Sequence, residues 1–119
     1  MELKEIMQQK VFVVVGNTIK NEKFAYKIKN ALIEHGYKTY AVDKELVSIN
    51  DVNDDIDIID LCVNPIKGLR FLKENKKPFK MIVIQPNAFD DNLIEYLDTN
   101  KIPYIQSCVL VGLSLYPQK

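Results

Sequence analysis

The chain has 119 residues, of which 47% are hydrophobic and 27% charged, an ordinary composition for one globular domain. Sixteen basic and 16 acidic side chains give zero net charge, which argues against a general nucleic-acid binder because such proteins carry a basic excess. There is no apolar run that could span a bilayer and no secretory signal, so we expect a single cytoplasmic domain over residues 1–119.

The first third of the chain predicts a helix, a strand and a second helix. The first ten residues suit a short helix packed at a sheet edge, and "VFVVV" at 11–15 is typical of a strand buried on both faces. Residues 22–35 predict a helix that Gly36 ends. The apolar positions expected on its inward face are Phe24, Ile28, Ala31 and Leu32.

The middle of the chain adds two strands and one helix. "YKTYAV" at 37–42 predicts the second strand, and 43–56 predicts an acidic surface connection with a short β-like piece around "LVSI". "DIIDLCV" predicts a third strand, after which Asn64 and Pro65 suit the cap and first position of a helix. The positions expected on the inward face of that helix are Ile66, Leu69 and Leu72.

The last third predicts a strand at 79–84, a helix from Asp90 to Asn100 and a strand at 102–106. Strand and helix therefore alternate along the whole chain with short connections. This order predicts an α/β fold, a doubly wound, mainly parallel sheet of five or six strands with helices on both faces.

In such sheets a ligand binds beyond the carboxyl ends of the strands. The turns expected there span 16–23, 42–44, 63–65 and 85–87. In the first turn, Gly16 permits close backbone approach, Thr18 offers a hydroxyl, and the N–H groups of the following helix favour an anion such as phosphate. Lys20 and Lys23 would assist, although both also suit a solvated loop.

The second of these turns contains "VDK". An acid at this position often binds the ribose of NAD, which makes Asp43 a candidate, and Lys44 could meet a phosphate. The alternative is a charged loop, and the absence of a GxGxxG motif weighs against NAD.

The sequence gives little support for a catalytic centre or a metal site. The paired acids Asp57 and Asp60 have no partner with a sequence-level reason to join them, so we expect structural roles for both. Cys62 and Cys108 lack metal-ligand spacing and predict inert free thiols. His35, before Gly36, suits a helix C-terminus rather than a catalytic centre.

Five segments occur in the order of a known family. "VVVGNTIKNEKFA", "EHGYKTYAVDK", "DIDIIDLCVNP", "VIQPNA" and "QSCV" resemble the motifs of small stand-alone CoA-binding domain proteins, over about residues 5–112. Those proteins have a Rossmann-like fold similar to the CoA-binding domain of succinyl-CoA synthetase α subunits. The resemblance implies a small-molecule binding module for CoA or an acyl-CoA, with the pyrophosphate at the first strand–helix turn. The residues implied to line the site are Gly16, Asn17, Thr18, Lys20, Lys23, Val42, Lys44, Asn64, Pro65 and Gln85.

The chain departs from the family pattern at several of these positions. Lys23 stands for an arginine, Ala25 for a serine and Asn87 for a glycine, although asparagine also tolerates a left-handed backbone. Asp43 lies where a carboxylate would repel the 3′-phosphate of CoA. Two other functions therefore remain: an NAD-type redox protein with Asp43 on the ribose, and a ligand-free interaction domain. The sequence assigns no catalysis, acyl group, partner or oligomeric state.

Overall fold

A computed structural model describes residues 1–117 of the chain. The strands are β1 (Val11–Gly16), β2 (Lys38–Asp43), β3 (Ile58–Leu61), β4 (Met81–Ile84) and β5 (Tyr104–Gln106). The helices are α1 (Leu3–Ile6), α2 (Phe24–Glu34), α3 (Pro65–Glu74), α4 (Asp91–Thr99) and α5 (Val109–Leu115), and a 3-10 turn covers Ile49–Asp51.

The five strands form one sheet in the order β2-β1-β3-β4-β5, and every neighbouring pair is parallel. The predicted doubly wound α/β fold is confirmed, with five strands. The β-like piece around Leu46 makes only a single bridge to Val42 and adds no strand. Strand order reverses between β1 and β3, and a ligand crevice is expected at that reversal.

Apolar residues cover both faces of the sheet. On one face, Ile59, Leu61 and Ile82 pack with α3 and α4, and on the other, Val14 and Ile58 pack with α1, α2 and α5. All four residues of β3 are buried, as are all four of β4, because helices lie on both faces. This explains why these strands appear in the sequence as apolar runs, interrupted only by Asp60 in β3, rather than as alternating patterns.

Two of the expected core positions are wrong. Phe24 is 64% exposed and Ile66 is 78% exposed. Each lies in the first turn of its helix, on the side of that turn that faces solvent. Ala25 and Phe71, both 2% exposed, occupy buried positions of these helices instead.

The C-terminal helix α5 was not predicted. It packs against Leu3 of α1 and against Met7, and a Cβ atom on Gly112 would come within 2.7 Å of the Met7 sulfur, so a larger residue there would require this side chain to shift. Among the described residues, no helix is both long and apolar enough to cross a bilayer.

Candidate functional site

A cleft with two adjoining lobes lies at the carboxyl edge of the sheet. The β1 lobe, of about 510 Å³, is lined by Asn17, Lys23, Phe24, Ala25, Asp43, Lys44, Cys62, Val63, Asn64 and Lys67. The β4 lobe, of about 370 Å³, is lined by Phe24, Cys62, Val63, Asn64, Gln85, Pro86, Asn87, Ala88 and Cys108. Four residues are common to both lists, so the lobes form one cleft, and all four predicted turns reach it.

The two lobes differ in charge. Three lysines and one aspartate line the β1 lobe, whereas the β4 lobe has no charged lining residue. The cleft therefore offers an anion-attracting half beside an uncharged half.

The N-terminus of α2 opens on the β1 lobe. Lys23 is its N-cap residue and makes no side-chain cap, and the first turn contains no acidic residue. Within residues 1–117, the N–H groups of Phe24, Ala25 and Tyr26 donate no hydrogen bond. Free N–H groups at the positive end of a helix dipole form an anion-binding site.

Gly16 lets the start of α2 approach β3. A Cβ atom at this position would lie 2.8 Å from the Cys62 carbonyl oxygen and 2.9 Å from the Ala25 Cβ. Any other residue would push β1, α2 and the end of β3 apart. Packing therefore requires glycine at this position, and the close contact places the N-terminus of α2 beside the ends of β1 and β3.

The loop between β1 and α2 is held by its own side chains. The Asn17 side-chain oxygen accepts hydrogen bonds from the N–H groups of Ile19 and Lys20. Thr18 is 4% exposed and its hydroxyl donates to Glu45, 2.5 Å away, which also pairs with Lys29. Although burial raises the pKa of Glu45, the hydrogen bonds from Lys29 and Thr18 outweigh it, and the net pKa is lowered. The loop is therefore built before a ligand arrives.

Asp43 is paired in a way that the sequence did not indicate. Lys67 Nζ lies 3.1 and 3.3 Å from its two carboxylate oxygens. Asp43 also adopts a positive φ of 115°, which turns the chain out of β2 beside the cleft. The carboxylate expected to repel a phosphate is thus already neutralised by a cation.

Polar groups of the β4 lobe are positioned by hydrogen bonds. Asn64 caps α3 by accepting from the Lys67 N–H at 2.9 Å. Gln85 is 5% exposed, and its side-chain oxygen accepts from the Val109 N–H at 2.9 Å, which anchors α5 beside the lobe. Asn87 has a φ of 72°, the left-handed backbone expected for it.

Beneath the cleft lies a buried acid. Asp60 is fully buried in β3, one of its oxygens has no partner among the described residues, and burial raises its pKa to about 8. The other oxygen lies 3.5 Å from the Cys62 thiol. Burial, and next the Asp60 charge, raise the pKa of Cys62 well above its usual value, so this thiol is a poor nucleophile. Cys62 and Cys108 are both only partly buried.

The structure gathers most, but not all, of the residues predicted for the site. Gly16 and Thr18 are buried behind the cleft and do not line it. The predicted residues that do line it are Asn17, Lys23, Asp43, Lys44, Asn64 and Gln85. Lys20 is exposed outside it, Pro65 is the first residue of α3, and the Val42 side chain is 0% exposed in the core.

Two lining residues that matter were missed. Lys67 lies three positions after the Asn64 cap, and that spacing places it on the same face of α3 as the cap. Phe24 was assigned to the core because it fits the helical period, and only its position at the very start of α2 distinguishes it.

The chain is similar in fold to several small solved proteins. A hypothetical protein from Pyrococcus horikoshii OT3 is 23% identical, with a TM-score of 0.82, and the match covers 98% of this chain and 92% of that one. A conserved hypothetical protein from Pyrococcus furiosus is 23% identical, with a TM-score of 0.79 and coverage of 87% and 98%. A third, a protein redesigned for binding, is 25% identical, with a TM-score of 0.84 and coverage of 96% and 89%.

No curated protein sequence matches the chain significantly. The model of one family, described as a CoA binding domain, matches residues 10–114, which includes all five strands and every lining residue of both lobes. The chain therefore belongs to the CoA-binding domain family.

Proposed function

We propose that the protein binds CoA or an acyl-CoA, with the pyrophosphate in the β1 lobe. The observation that carries this proposal is the uncapped N-terminus of α2, which has three free N–H groups and borders a lobe lined by lysines. Phosphates are bound by such helix ends without a three-glycine loop, because the donors belong to the helix itself. Membership of the CoA-binding domain family supports the same ligand.

This placement of the pyrophosphate assigns roles to the residues around the β1 lobe. Gly16 keeps α2 in position, Asn17 and Thr18 hold the loop, and Lys23 adds a positive charge beside the helix end. Lys20 lies farther along the same loop and would act only through its long-range charge.

At the adenosine end, Lys44 and Lys67 supply cations for the 3′-phosphate, and Lys67 offsets the repulsion from Asp43. The backbone after Val42 would flank the nucleoside. At the other end, Asn64 and Gln85 would contact the amides of the pantetheine arm, and Pro65 would support Asn64 at the start of α3.

The test is isothermal titration with CoA at low ionic strength. Lys23→Glu should weaken binding about tenfold, and the effect should shrink in high salt because it is electrostatic. Lys4→Glu makes the same charge change on α1, outside the cleft, and should leave the affinity unaltered. Equal affinities for all three proteins would contradict the β1 lobe as the pyrophosphate site.

A panel of CoA, NAD and ATP in a thermal-shift assay compares the other functions. Binding of NAD in preference to CoA, lost in Asp43→Ala, would replace the proposal with a nucleotide-binding redox function. No shift with any nucleotide would indicate an interaction domain that binds none of them.

A further inference from the structure

The β4 lobe is built to exclude charge. Its walls include Phe24, Val63, Pro86 and Ala88, and none of its lining side chains is charged. Its polar groups are three side-chain amides and the thiols of Cys62 and Cys108, and the amide of Gln85 is partly engaged by the Val109 N–H. A lobe of this kind suits an apolar group that arrives with a few hydrogen-bonding atoms.

Apolar side chains are also exposed at the carboxyl edge of the sheet. Six of the ten large hydrophobic residues exposed on the described surface lie between the carboxyl end of a strand and the first turn of the next helix, with exposures from 40% to 80%: Ile19, Phe24, Val47, Ile66, Phe89 and Val111. Exposed apolar groups gathered at one edge of a fold mark a binding surface. Of the residues in this apolar rim, Phe24 lines both lobes, so the rim meets the cleft at the start of α2.

We infer that the β4 lobe binds the acyl chain of an acyl thioester, so that a medium-chain acyl-CoA, of about four to eight carbons, binds more tightly than free CoA. This inference rests on the proposed function, which places the pyrophosphate in the β1 lobe. A ligand anchored there by its phosphates extends its pantetheine arm and thioester into the adjoining lobe, which it can enter without burying a charge.

The size of the lobe sets the range of chain length. An apolar cavity of about 150 Å³ holds benzene, with six carbons. A lobe of about 370 Å³ therefore holds on the order of a dozen or more such atoms, shared between the end of the pantetheine arm and the chain. A chain much longer than about eight carbons would emerge into solvent and gain little.

The test is titration with CoA and its acetyl, butyryl, hexanoyl, octanoyl and palmitoyl thioesters. A fully buried methylene contributes about a fourfold gain in affinity, and we expect about threefold for each one because the lobe is open on one side. Hexanoyl-CoA should therefore bind between about tenfold and 100-fold more tightly than acetyl-CoA, with a plateau beyond octanoyl.

The matched variants are Phe24→Ala and Ile33→Ala. Both remove an exposed apolar side chain from α2, but only Phe24 borders the cleft. Phe24→Ala should bring the ratio of hexanoyl to acetyl affinity toward one, and Ile33→Ala should preserve it. Thermal unfolding of each variant checks that the fold is intact.

The outcomes separate the two proposals. If CoA binds and the affinity does not change with acyl chain length, the acyl site is overturned while the proposed function stands. The apolar rim would then be left as a surface for a macromolecular partner. If no thioester and no CoA binds, both are overturned. A steady gain with chain length that Phe24→Ala does not change would also overturn the site, because the chain would then lie elsewhere.

Discussion

Replacing Asp60 by asparagine tests whether a protonated carboxyl lies in the core. Asp60 is fully buried in the central strand β3, and its register partners are Val14 on β1 and Val83 on β4. One carboxyl oxygen has no partner within the described residues. Burial raises its pKa from 3.8 to about 8 because the surroundings disfavour the charged form.

The sign of the change in stability with pH follows from which state, folded or unfolded, holds the proton. Below pH 4 the carboxyl is protonated in both the folded and the unfolded chain, so Asp60 takes nothing from the stability of the fold. Between pH 4 and 8 the unfolded chain is ionised while the folded protein still holds the proton, so stability falls by about 1.4 kcal/mol per pH unit. Over about four pH units the loss has a ceiling of about 6 kcal/mol, and above pH 8 it levels off.

Two other acids, Asp57 and Glu45, change the stability in the opposite direction as the pH rises, so their effect must be separated from that of Asp60. The pKa of Asp57 is lowered overall because hydrogen bonds from the Lys10 and Val11 N–H groups and from Lys80 outweigh burial, which raises it. The pKa of Glu45 is lowered in the same way. Stability from these two is present above pH 5 and is lost as the pH falls.

The assay is urea unfolding of the wild-type protein and Asp60→Asn at each pH from 5 to 9. The effects of Asp57 and Glu45 cancel in the difference, since both proteins contain them. The variant should gain on the wild type by up to about 1.4 kcal/mol per pH unit until about pH 8. Two parallel stability curves across this range would refute the assignment of a raised pKa to Asp60.

Two further substitutions test how the cleft is built. Gly16→Ala should lower the free energy of unfolding by about 1–3 kcal/mol because its Cβ would meet Cys62 and Ala25. Gly68→Ala is the control within α3: its Cβ would lie 3.7 Å from the nearest atoms, an ordinary contact, and the change should raise the free energy of unfolding by roughly 0.5–1 kcal/mol. Equal effects of the two changes in denaturant titrations would contradict the packing argument. Gln85→Leu should cost about 1–3 kcal/mol because the buried Val109 N–H loses its acceptor, and the exposed Gln106→Leu serves as its control; if both variants unfold at the same denaturant concentration, Gln85 does not anchor α5.

The alternation of strands and helices could be predicted from the residues because each element carries its own local signal. Continuous β-branched runs indicated strands covered on both faces, and the caps Asn64 and Asp90 begin helices where expected. The helix α5 escaped prediction because its short apolar segment has no capping side chain, and because it packs against residues far away in the chain, among them Leu3 and Met7.

The predicted turns meet at one edge because parallel strands present their carboxyl ends together, which is a property of topology that sequence order already implies. For that reason six of the lining residues could be named in advance: Asn17, Lys23, Asp43, Lys44, Asn64 and Gln85. Exposure could not be predicted, since Phe24 has the helical spacing of a core residue and yet its side chain lies in solvent at the start of α2.

What the sequence determined by itself was the order of elements, the family and the turns that form the cleft, because these depend on near neighbours in the chain. Tertiary structure alone decided the charge of the site and the state of its acids. Lys67 neutralises Asp43 from 24 positions away, and Asp60 keeps its proton because strands and helices distant in sequence remove water from around it. Electrostatic energies depend on distance and burial, and neither is a property of a residue in isolation.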